Sequence, residues 1–257
     1  MAHQWDPDRY LTFADERGRP FLELISRIDA DAPRTVVDLG CGAGNLTVLL
    51  ARRWPRARVL GVDSSAEMVA AAPVGEGVEF VVGDIEGWCS DEPVDVLVCN
   101  AALQWVPGHL DLVRSWPGRL APGGWLAIQV PGNYDQPSHA ILLDLVRSER
   151  WRPLLADIQL NRQAHDPAEY LDLLAPAGCD VDAWETTYLH VLPGPDPVTE
   201  WYRGTGLRPV LAALDPGQAE EFVADYGKRV REAYPPAPYG TVLPFRRVFV
   251  VARRTAA

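Results

Sequence analysis

The sequence predicts an α/β fold: an open, doubly wound, mainly parallel sheet of seven strands, with the last strand antiparallel and with helical insertions. Residues 35–130 alternate short apolar segments with helical patterns. Five of these segments are rich in Val, Ile and Leu, as buried parallel strands are: TVVDL, RVLGVD, EFVVGD, VDVLVCN and WLAIQV. Strand–helix repetition of this kind builds one parallel sheet. Two later segments, WETTYLHVL and RRVFVVARR, complete the seven strands.

Two long connections divide the chain around this sheet. Residues 133–180 and 193–244 contain helical patterns and are too long for simple loops, so they predict a helical cap over the open edge of the active site. The other parts of this single domain are expected to be an N-terminal lid segment at 1–30, a ligand-binding core at 31–132, and a final strand pair at 181–192 and 245–254.

Composition and charge disfavour several classes of partner. The formal net charge of -11 argues against nucleic acid, because phosphate binding needs a basic surface. The longest apolar stretch, residues 94–106, is interrupted by polar residues and is shorter than the ~20 residues that cross a bilayer. The first residues, MAHQWDPDRY, lack the basic and apolar regions of a secretory signal. We therefore expect neither a nucleic-acid nor a membrane partner.

The cysteines and histidines show no metal or disulfide pattern. Cys41, Cys89, Cys99 and Cys179 form no CxxC pair, so neither a zinc site nor a disulfide framework is expected. The five histidines share no metal-ligand spacing. These observations predict a cytoplasmic protein without a metal.

The segment VVDLGCGAGN carries the strongest functional signal. Gly40, Gly42 and Gly44 let the backbone turn sharply and approach a ligand, and the next helix, opening near Asn45, points free N–H groups into the same crevice. The dinucleotide fingerprint G-x-G-x-x-G/A would need Gly or Ala where Asn45 stands. The pattern D-x-G-x-G-x-G, beginning at Asp38, resembles motif I of class I methyltransferases, which bind S-adenosylmethionine (SAM) on a Rossmann-like sheet.

An acid also ends the second strand. Asp63 follows Gly44 by 19 residues, the distance that one helix and one strand consume. A carboxylate at this point can accept both hydroxyls of a ribose, although it could instead cap the next helix. Ser64 and Glu67 predict a capping box at the start of that helix.

Polar groups follow the third and fourth strands as well. Asp84 could accept the adenine amino group, with Ile85 as an apolar wall, or it could form a surface turn. Asn100 begins the segment NAALQWV, which has Ala101 and Ala102 where methyltransferases of nucleobase amino groups carry two prolines. No nucleophile–base–acid arrangement stands out, so we expect a positioning mechanism without a catalytic residue.

Several segments resemble one family, the trans-aconitate methyltransferases. The matching segments are WDPDRYLTF, RPFLELI, DLGCGAGNLTVLLARRWP, DSSAEM, NAALQWVPGH, LAPGGWLAIQVPGN, PSHA, WYRGTGLRP, YPP and LPFRRVFVVAR. They span nearly the whole chain, including the predicted cap. The resemblance implies transfer of the SAM methyl group to a carboxylate of trans-aconitate, a small anionic tricarboxylate, giving a monomethyl ester and S-adenosylhomocysteine.

The resemblance also implies site residues beyond those named above. For the cofactor these are Ser64, Met68, Ala101 and Trp105. For the substrate they are Trp5, Tyr10, Phe13, Gln104, Arg203, Arg208 and Arg247. His139 is a further substrate candidate, because its segment PGNYDQPSHA follows the fifth strand and should border the pocket. It could equally be structural, and each arginine could be a solvated surface charge. Strand alternation puts Arg246 and Arg247 on opposite faces, and we favour Arg247.

Other functions stay open at this point. The acceptor could be another small acid or a hydroxyl, and a hydroxyl would need a nearby base. A SAM-binding sensor without turnover and an NAD-dependent oxidoreductase are further alternatives.

Overall fold

The computed structural model describes residues 14–158, 160 and 165–255. The strands in this part of the chain are β1 (Thr35–Leu39), β2 (Arg58–Asp63), β3 (Val78–Val82), β4 (Val94–Asn100), β5 (Leu120–Pro131), β6 (Cys179–Leu192) and β7 (Thr241–Arg254). They form one sheet in the order β3-β2-β1-β4-β5-β7-β6. Strands β1 to β5 pair in parallel and β7 pairs antiparallel with β5, so the predicted fold class is confirmed.

Helices connect the strands and form the insertions. They are α1 (Ala14–Ser26), α2 (Thr47–Arg53), α3 (Ala66–Ala70), α4 (His109–Ser115), α5 (Pro137–Arg147), α6 (Arg152–Leu155), α7 (Pro167–Leu174), α8 (Pro197–Arg203), α9 (Arg208–Leu211) and α10 (Pro216–Ala233). Four of them begin with proline, whose fixed φ suits the first helical position. Capping boxes at Asp166 and Asp215 fix the starts of α7 and α10. Among the described helices, none is long and apolar enough to span a bilayer.

The sheet has one apolar face and one face with a polar end. The buried core includes every second residue of the central strands, such as Val37, Leu97, Ile128 and Val250, packed against the aromatic side chain of Trp116. The intervening residues of these strands point to the other face, because side chains alternate along a strand. That second face carries the polar residues of the candidate site.

The chain forms two compact units. Of the described residues, the first unit contains 14–131, 165–186 and 247–255, and the second contains 132–158, 160 and 187–246. Strands β6 and β7 each contribute residues to both units. The second unit corresponds to most of the predicted cap, whereas residues 165–180, also assigned to the cap, belong to the first unit. The role of the second unit as a cap stays a prediction.

Local boundaries differ from the sequence predictions in two places near the glycine segment. Helix α2 begins at Thr47 rather than near Asn45. The predicted Ser64 capping box is wrong, because the N-cap of α3 is Ser65, whose hydroxyl accepts a hydrogen bond from the Met68 N–H. The Ser65 N–H donates to the Asp63 carboxylate, which fixes the backbone one residue later than the pattern predicts.

Helices α4 and α7 of the first unit are joined by a buried histidine. His109 is 3% exposed, and its Nε2 lies 2.8 Å from the Tyr170 hydroxyl. The His165 ring contacts His109 edge-on, with ring centroids 5.1 Å apart, and its Nδ1 lies 2.9 Å from a Glu169 carboxylate oxygen. Burial, reinforced by His165, lowers the pKa of His109 to about 4.

We expect the contribution of His109 to stability to be lost as pH falls. The unfolded chain protonates this residue below about pH 6.5, whereas the folded protein does so only below about 4, so the unfolded state binds more protons between these values. The difference in the free energy of unfolding between the wild type and His109→Gln should change by about 1–2 kcal/mol, against the wild type, when the pH is lowered from 7 to 5. Urea unfolding of both proteins at the two pH values checks this, and a constant difference would contradict it.

Candidate functional site

Five polar side chains form a row along one face of the sheet, at the edge where its parallel strands have their carboxyl ends. Asp63 and Asp38 lie on β2 and β1, Asn100 and Gln129 on β4 and β5, and Arg247 on β7. The strand registers pair Gly61 with Asp38, Asp38 with Val98, Asn100 with Gln129, and Gln129 with Phe249. Paired residues and residues two apart share a face, so all five side chains point to the same side.

The row is ordered by charge. It begins with two carboxylates, continues with two amides and ends with a guanidinium group. It also crosses the point where the strand order reverses, between β1 and β4, which is where open α/β sheets bind ligands. A site of this kind offers acceptors at one end and cationic donors at the other.

The glycine loop fits tightly on two sides and is open on the third. A Cβ on Gly40 would lie 2.3 Å from the Ala102 Cβ, and one on Gly44 would lie 2.4 Å from the Phe80 ring. A Cβ on Gly42 would meet nothing within 4 Å. All three glycines have positive φ, which other residues rarely adopt. The loop is therefore packed between Ala102, in the turn after β4, and Phe80, on β3, and presents its middle to open space.

Asp63 holds this loop in place. One carboxylate oxygen accepts a hydrogen bond from the Gly42 N–H at 2.8 Å, and the other accepts one from the Ser65 N–H at 2.9 Å. Each carboxylate oxygen has a second lone pair, so the group retains acceptor capacity for a ligand. The two interpretations of Asp63 from the sequence are thus compatible: it can cap the next helix and also accept hydrogen bonds from a ribose.

Asp38 lies beneath the loop and is 3% exposed. The Thr47 hydroxyl donates to its carboxylate at 2.7 Å, which links β1 to the start of α2. Burial, opposed by this hydrogen bond and reinforced by the charge of Asp63, raises the pKa of Asp38 to about 7. Burial and both carboxylates also raise the pKa of the Cys41 thiol, so this cysteine stays protonated. A cation in the crevice would favour the ionised form of Asp38.

Only some of the residues predicted to bind the cofactor lie close to the glycine loop. The Ile85 side chain lies near Gly40, 3.3 Å from the position that its Cβ would take. Asp84 is exposed and accepts a hydrogen bond from the Glu86 N–H, as a surface turn does. Met68 is buried in α3, whereas Ser64 is exposed. Asn45 is half-buried at the end of the loop.

The turn after β4 leaves two buried oxygen atoms without partners. Ala101 has a φ of 54°, a strained value for a residue with a side chain, and its N–H donates to the Gln129 carbonyl. The Gln104 Nε2 donates to the Ala101 carbonyl at 2.5 Å. Among the described residues, the Asn100 Oδ1 and the Gln104 Oε1 are buried with no hydrogen-bond partner. Trp105 follows in the same turn and is half-buried.

The basic end of the row is buried. Arg247 is 5% exposed, and its guanidinium donates to the Gln129 Oε1 at 3.3 Å. The expected alternation holds, because Arg247 lies on the polar face while Arg246 contacts Gly132 in the second unit. Sequence reasoning missed Gln129. The available signal was a single polar residue inside the apolar strand WLAIQV.

Three of the predicted substrate residues lie in the second unit. The His139 ring contacts the rings of Tyr134 and Tyr202 edge-on. Arg203 pairs with Glu220 at 2.5 Å and with Glu200 at 3.6 Å, so two carboxylates already neutralise its charge. Arg208 begins α9 and is half-buried. The remaining three, Trp5, Tyr10 and Phe13, lie outside the described residues.

The arrangement contains no candidate metal centre in the part of the chain that is described. No three His, Cys, Asp or Glu side chains there are placed to hold an ion.

A doubly wound sheet of this strand order, with a glycine loop after β1 and an acid at the end of β2, defines a SAM-dependent methyltransferase of class I. Its cofactor is SAM.

Comparison with known proteins agrees with this class and narrows it. Residues 36–124 match the family model described as a methyltransferase domain. Trans-aconitate 2-methyltransferase of Streptomyces avermitilis is 51% identical over 262 residues, covering 98% of this chain and 97% of that protein. Trans-aconitate 2-methyltransferase of Rhodococcus jostii is 54% identical over 252 residues, covering 97% and 99%. The chain belongs to the trans-aconitate 2-methyltransferase family.

A solved structure supports the fold alone. The YcgJ protein of Bacillus subtilis superposes with a TM-score of 0.60 at 16% identity, covering 93% of this chain and 99% of that one. The family model and the two relatives confirm the methyltransferase assignment made from the sequence, and the dinucleotide alternative is wrong.

Proposed function

We propose that the enzyme transfers the methyl group of SAM to a carboxylate of trans-aconitate, giving the monomethyl ester and S-adenosylhomocysteine. One observation carries this proposal. Three relatives with this activity in their names match 97% or more of the chain at 51–54% identity, so the likeness includes the second unit and not only the methyltransferase core.

The acidic half of the polar row fits the cofactor. The open space at Gly42 admits a ligand beside the loop, and Asp63 has lone pairs for two ribose hydroxyls. The partnerless Asn100 Oδ1 and Gln104 Oε1 are acceptors, which suits a group rich in N–H and O–H donors. When bound, SAM supplies a methyl group on a positively charged sulfonium sulfur. The other predicted cofactor residues, among them Ser64, Met68, Asp84, Ile85, Ala101 and Trp105, stay predictions.

The chemistry of the acceptor explains why no catalytic base is needed. A carboxylate has a reference pKa of about 4 and is already the nucleophile at neutral pH. The protein has to align the carboxylate with the methyl group and keep water out. Arg247 supports an anionic acceptor, because a buried guanidinium favours a carboxylate beside it. The net charge of -11 gives no long-range attraction for anions, so such a local cation has to hold the substrate.

The same features support the remaining parts of the proposal. The partner is a small anionic tricarboxylate rather than a nucleic acid, in keeping with the acidic surface charge. The four cysteines are free, which suits a reducing cytoplasm. His139 is a proposed substrate contact because its segment follows β5. Arg208 is proposed on the resemblance alone. Arg203 is a weaker candidate, because its two ion pairs would have to open first.

Transfer of a labelled methyl group tests the proposal. We expect SAM carrying a deuterated methyl group to label trans-aconitate as a base-labile ester, in preference to cis-aconitate, isocitrate and citrate. The control is the same reaction without acceptor. If no acid in this panel becomes labelled, the substrate assignment fails. A base-stable product, formed at a rate that rises through pH 6–7 and is abolished by His139→Ala, would indicate a hydroxyl acceptor instead.

A further inference from the structure

Gln129 is a buried side chain whose two polar atoms are treated differently. It is 0% exposed and lies near the carboxyl end of β5. Its Oε1 accepts a hydrogen bond from the Arg247 guanidinium at 3.3 Å. Its Nε2 has no hydrogen-bond partner among the described residues. Buried donors are nearly always paired, because an unpaired one loses its hydrogen bonds to water and gains none in return, so this atom points to a ligand.

The neighbouring partnerless atoms indicate which ligand group belongs at which strand. Asn100 is the register partner of Gln129, and the buried Asn100 Oδ1 and Gln104 Oε1 next to β4 are acceptors. Gln129 Nε2 and the Arg247 guanidinium, on β5 and β7, are donors. A carboxylate only accepts hydrogen bonds, whereas an ammonium group only donates them. The donor side of the row therefore fits a carboxylate, and the acceptor side fits donor groups of the cofactor.

The residue type at position 129 agrees with this division. An amide can orient a guanidinium through its oxygen without adding a negative charge beside it. A carboxylate at the same place would form a buried ion pair with Arg247 and remove the attraction for an anionic ligand. An apolar residue, which the rest of this strand would suggest, could neither hold the guanidinium nor donate a hydrogen bond.

We propose that Gln129 and Arg247 form a carboxylate-binding subsite, in which Gln129 orients the guanidinium through Oε1 and donates a second hydrogen bond to the ligand through Nε2. The subsite rests on the proposed function, and it adds a specificity-determining residue to it. It holds one carboxylate of trans-aconitate at the end of β5. The hydrogen-bond acceptor atoms next to β4 lie beside it. The subsite lies entirely in the first unit.

Three variants of this residue test the subsite. Gln129→Glu keeps the shape and the acceptor oxygen but replaces the donor with a negative charge. We expect the Kd for trans-aconitate binding to the enzyme–S-adenosylhomocysteine complex to rise about 100-fold, and the KM for trans-aconitate to rise by the same factor. Gln129→Leu removes both hydrogen bonds and should raise them about tenfold. Gln129→Asn retains the amide and should lie between wild type and Gln129→Leu. The Kd of S-adenosylhomocysteine should stay within twofold throughout.

A purely structural role for Gln129 gives a different pattern. In that case the three variants would lower the melting temperature while the Kd of trans-aconitate stays within threefold of wild type, and this outcome overturns the subsite. If Gln129→Glu does not fold, Gln129→Asn and Gln129→Leu decide by the same criterion. A wild-type enzyme that neither binds nor methylates trans-aconitate overturns the proposed function and the subsite with it. Normal wild-type activity with unaffected variants overturns the subsite alone.

Discussion

Asp63→Ala is expected to weaken the binding of S-adenosylhomocysteine by at least about 100-fold. The carboxylate accepts hydrogen bonds from the N–H groups of Gly42 and Ser65. We propose that its remaining lone pairs accept hydrogen bonds from the ribose hydroxyls. Hydrogen bonds to a charged group contribute about 1.5–3 kcal/mol each, and the substitution removes several of them together. Isothermal titration calorimetry of the variant and the wild type measures the effect.

Glu79→Ala is the matched control for this prediction. It removes the same charge from an exposed carboxylate on β3, where Glu79 forms only a surface ion pair with Arg58. Its Kd for S-adenosylhomocysteine should match that of the wild type. An unchanged Kd in Asp63→Ala would exclude Asp63 from the cofactor site.

Arg247→Gln is expected to lower kcat/KM for trans-aconitate by about 100- to 1,000-fold. Removing one partner of a buried charge pair costs about 3–5 kcal/mol, and Arg247 is the buried cation at the basic end of the row. The affinity for S-adenosylhomocysteine should stay unchanged, because we propose that the cofactor binds at the acidic end. Arg247→Lys should recover only part of the loss, since an ammonium group lacks the planar fork of donors.

A second arginine of β7 provides the control for this substitution. Arg253 faces the same side of the sheet as Arg247, but it is exposed and contacts Trp125 at the other end of the strand. Arg253→Gln makes the same change in net charge and should leave kcat/KM within twofold. Equal losses in the two variants would mean that net charge, and not a local contact, governs the reaction.

Much of the fold and of the cofactor half of the site follows from local sequence patterns. The bounds of β1, β2 and β4 agree with the apolar segments that predicted them, because buried parallel strands are apolar along their whole length. The glycine loop and Asp63 lie close in sequence to strand ends, so the topology of the sheet brings them together. Patterns of this kind are enough to assign the cofactor.

The proposed substrate half of the site depends on contacts between distant segments. Gln129 and Arg247 are 118 residues apart and meet because β7 pairs antiparallel with β5, which no local pattern reveals. The ion pairs of Arg203 depend on how α10 lies beside α8, and they neutralise a charge that the sequence left open. The one-residue error at the cap of α3 has a similar cause, since the side chain of Asp63 selects Ser65 over Ser64.

A crystal structure with S-adenosylhomocysteine and trans-aconitate bound tests the division of the polar row most directly. We expect the ribose hydroxyls within hydrogen-bond distance of the Asp63 carboxylate, and one carboxylate of trans-aconitate within about 3 Å of both the Arg247 guanidinium and the Gln129 Nε2. A tricarboxylate bound with no carboxylate at this pair, or a cofactor whose ribose lies away from Asp63, would contradict it.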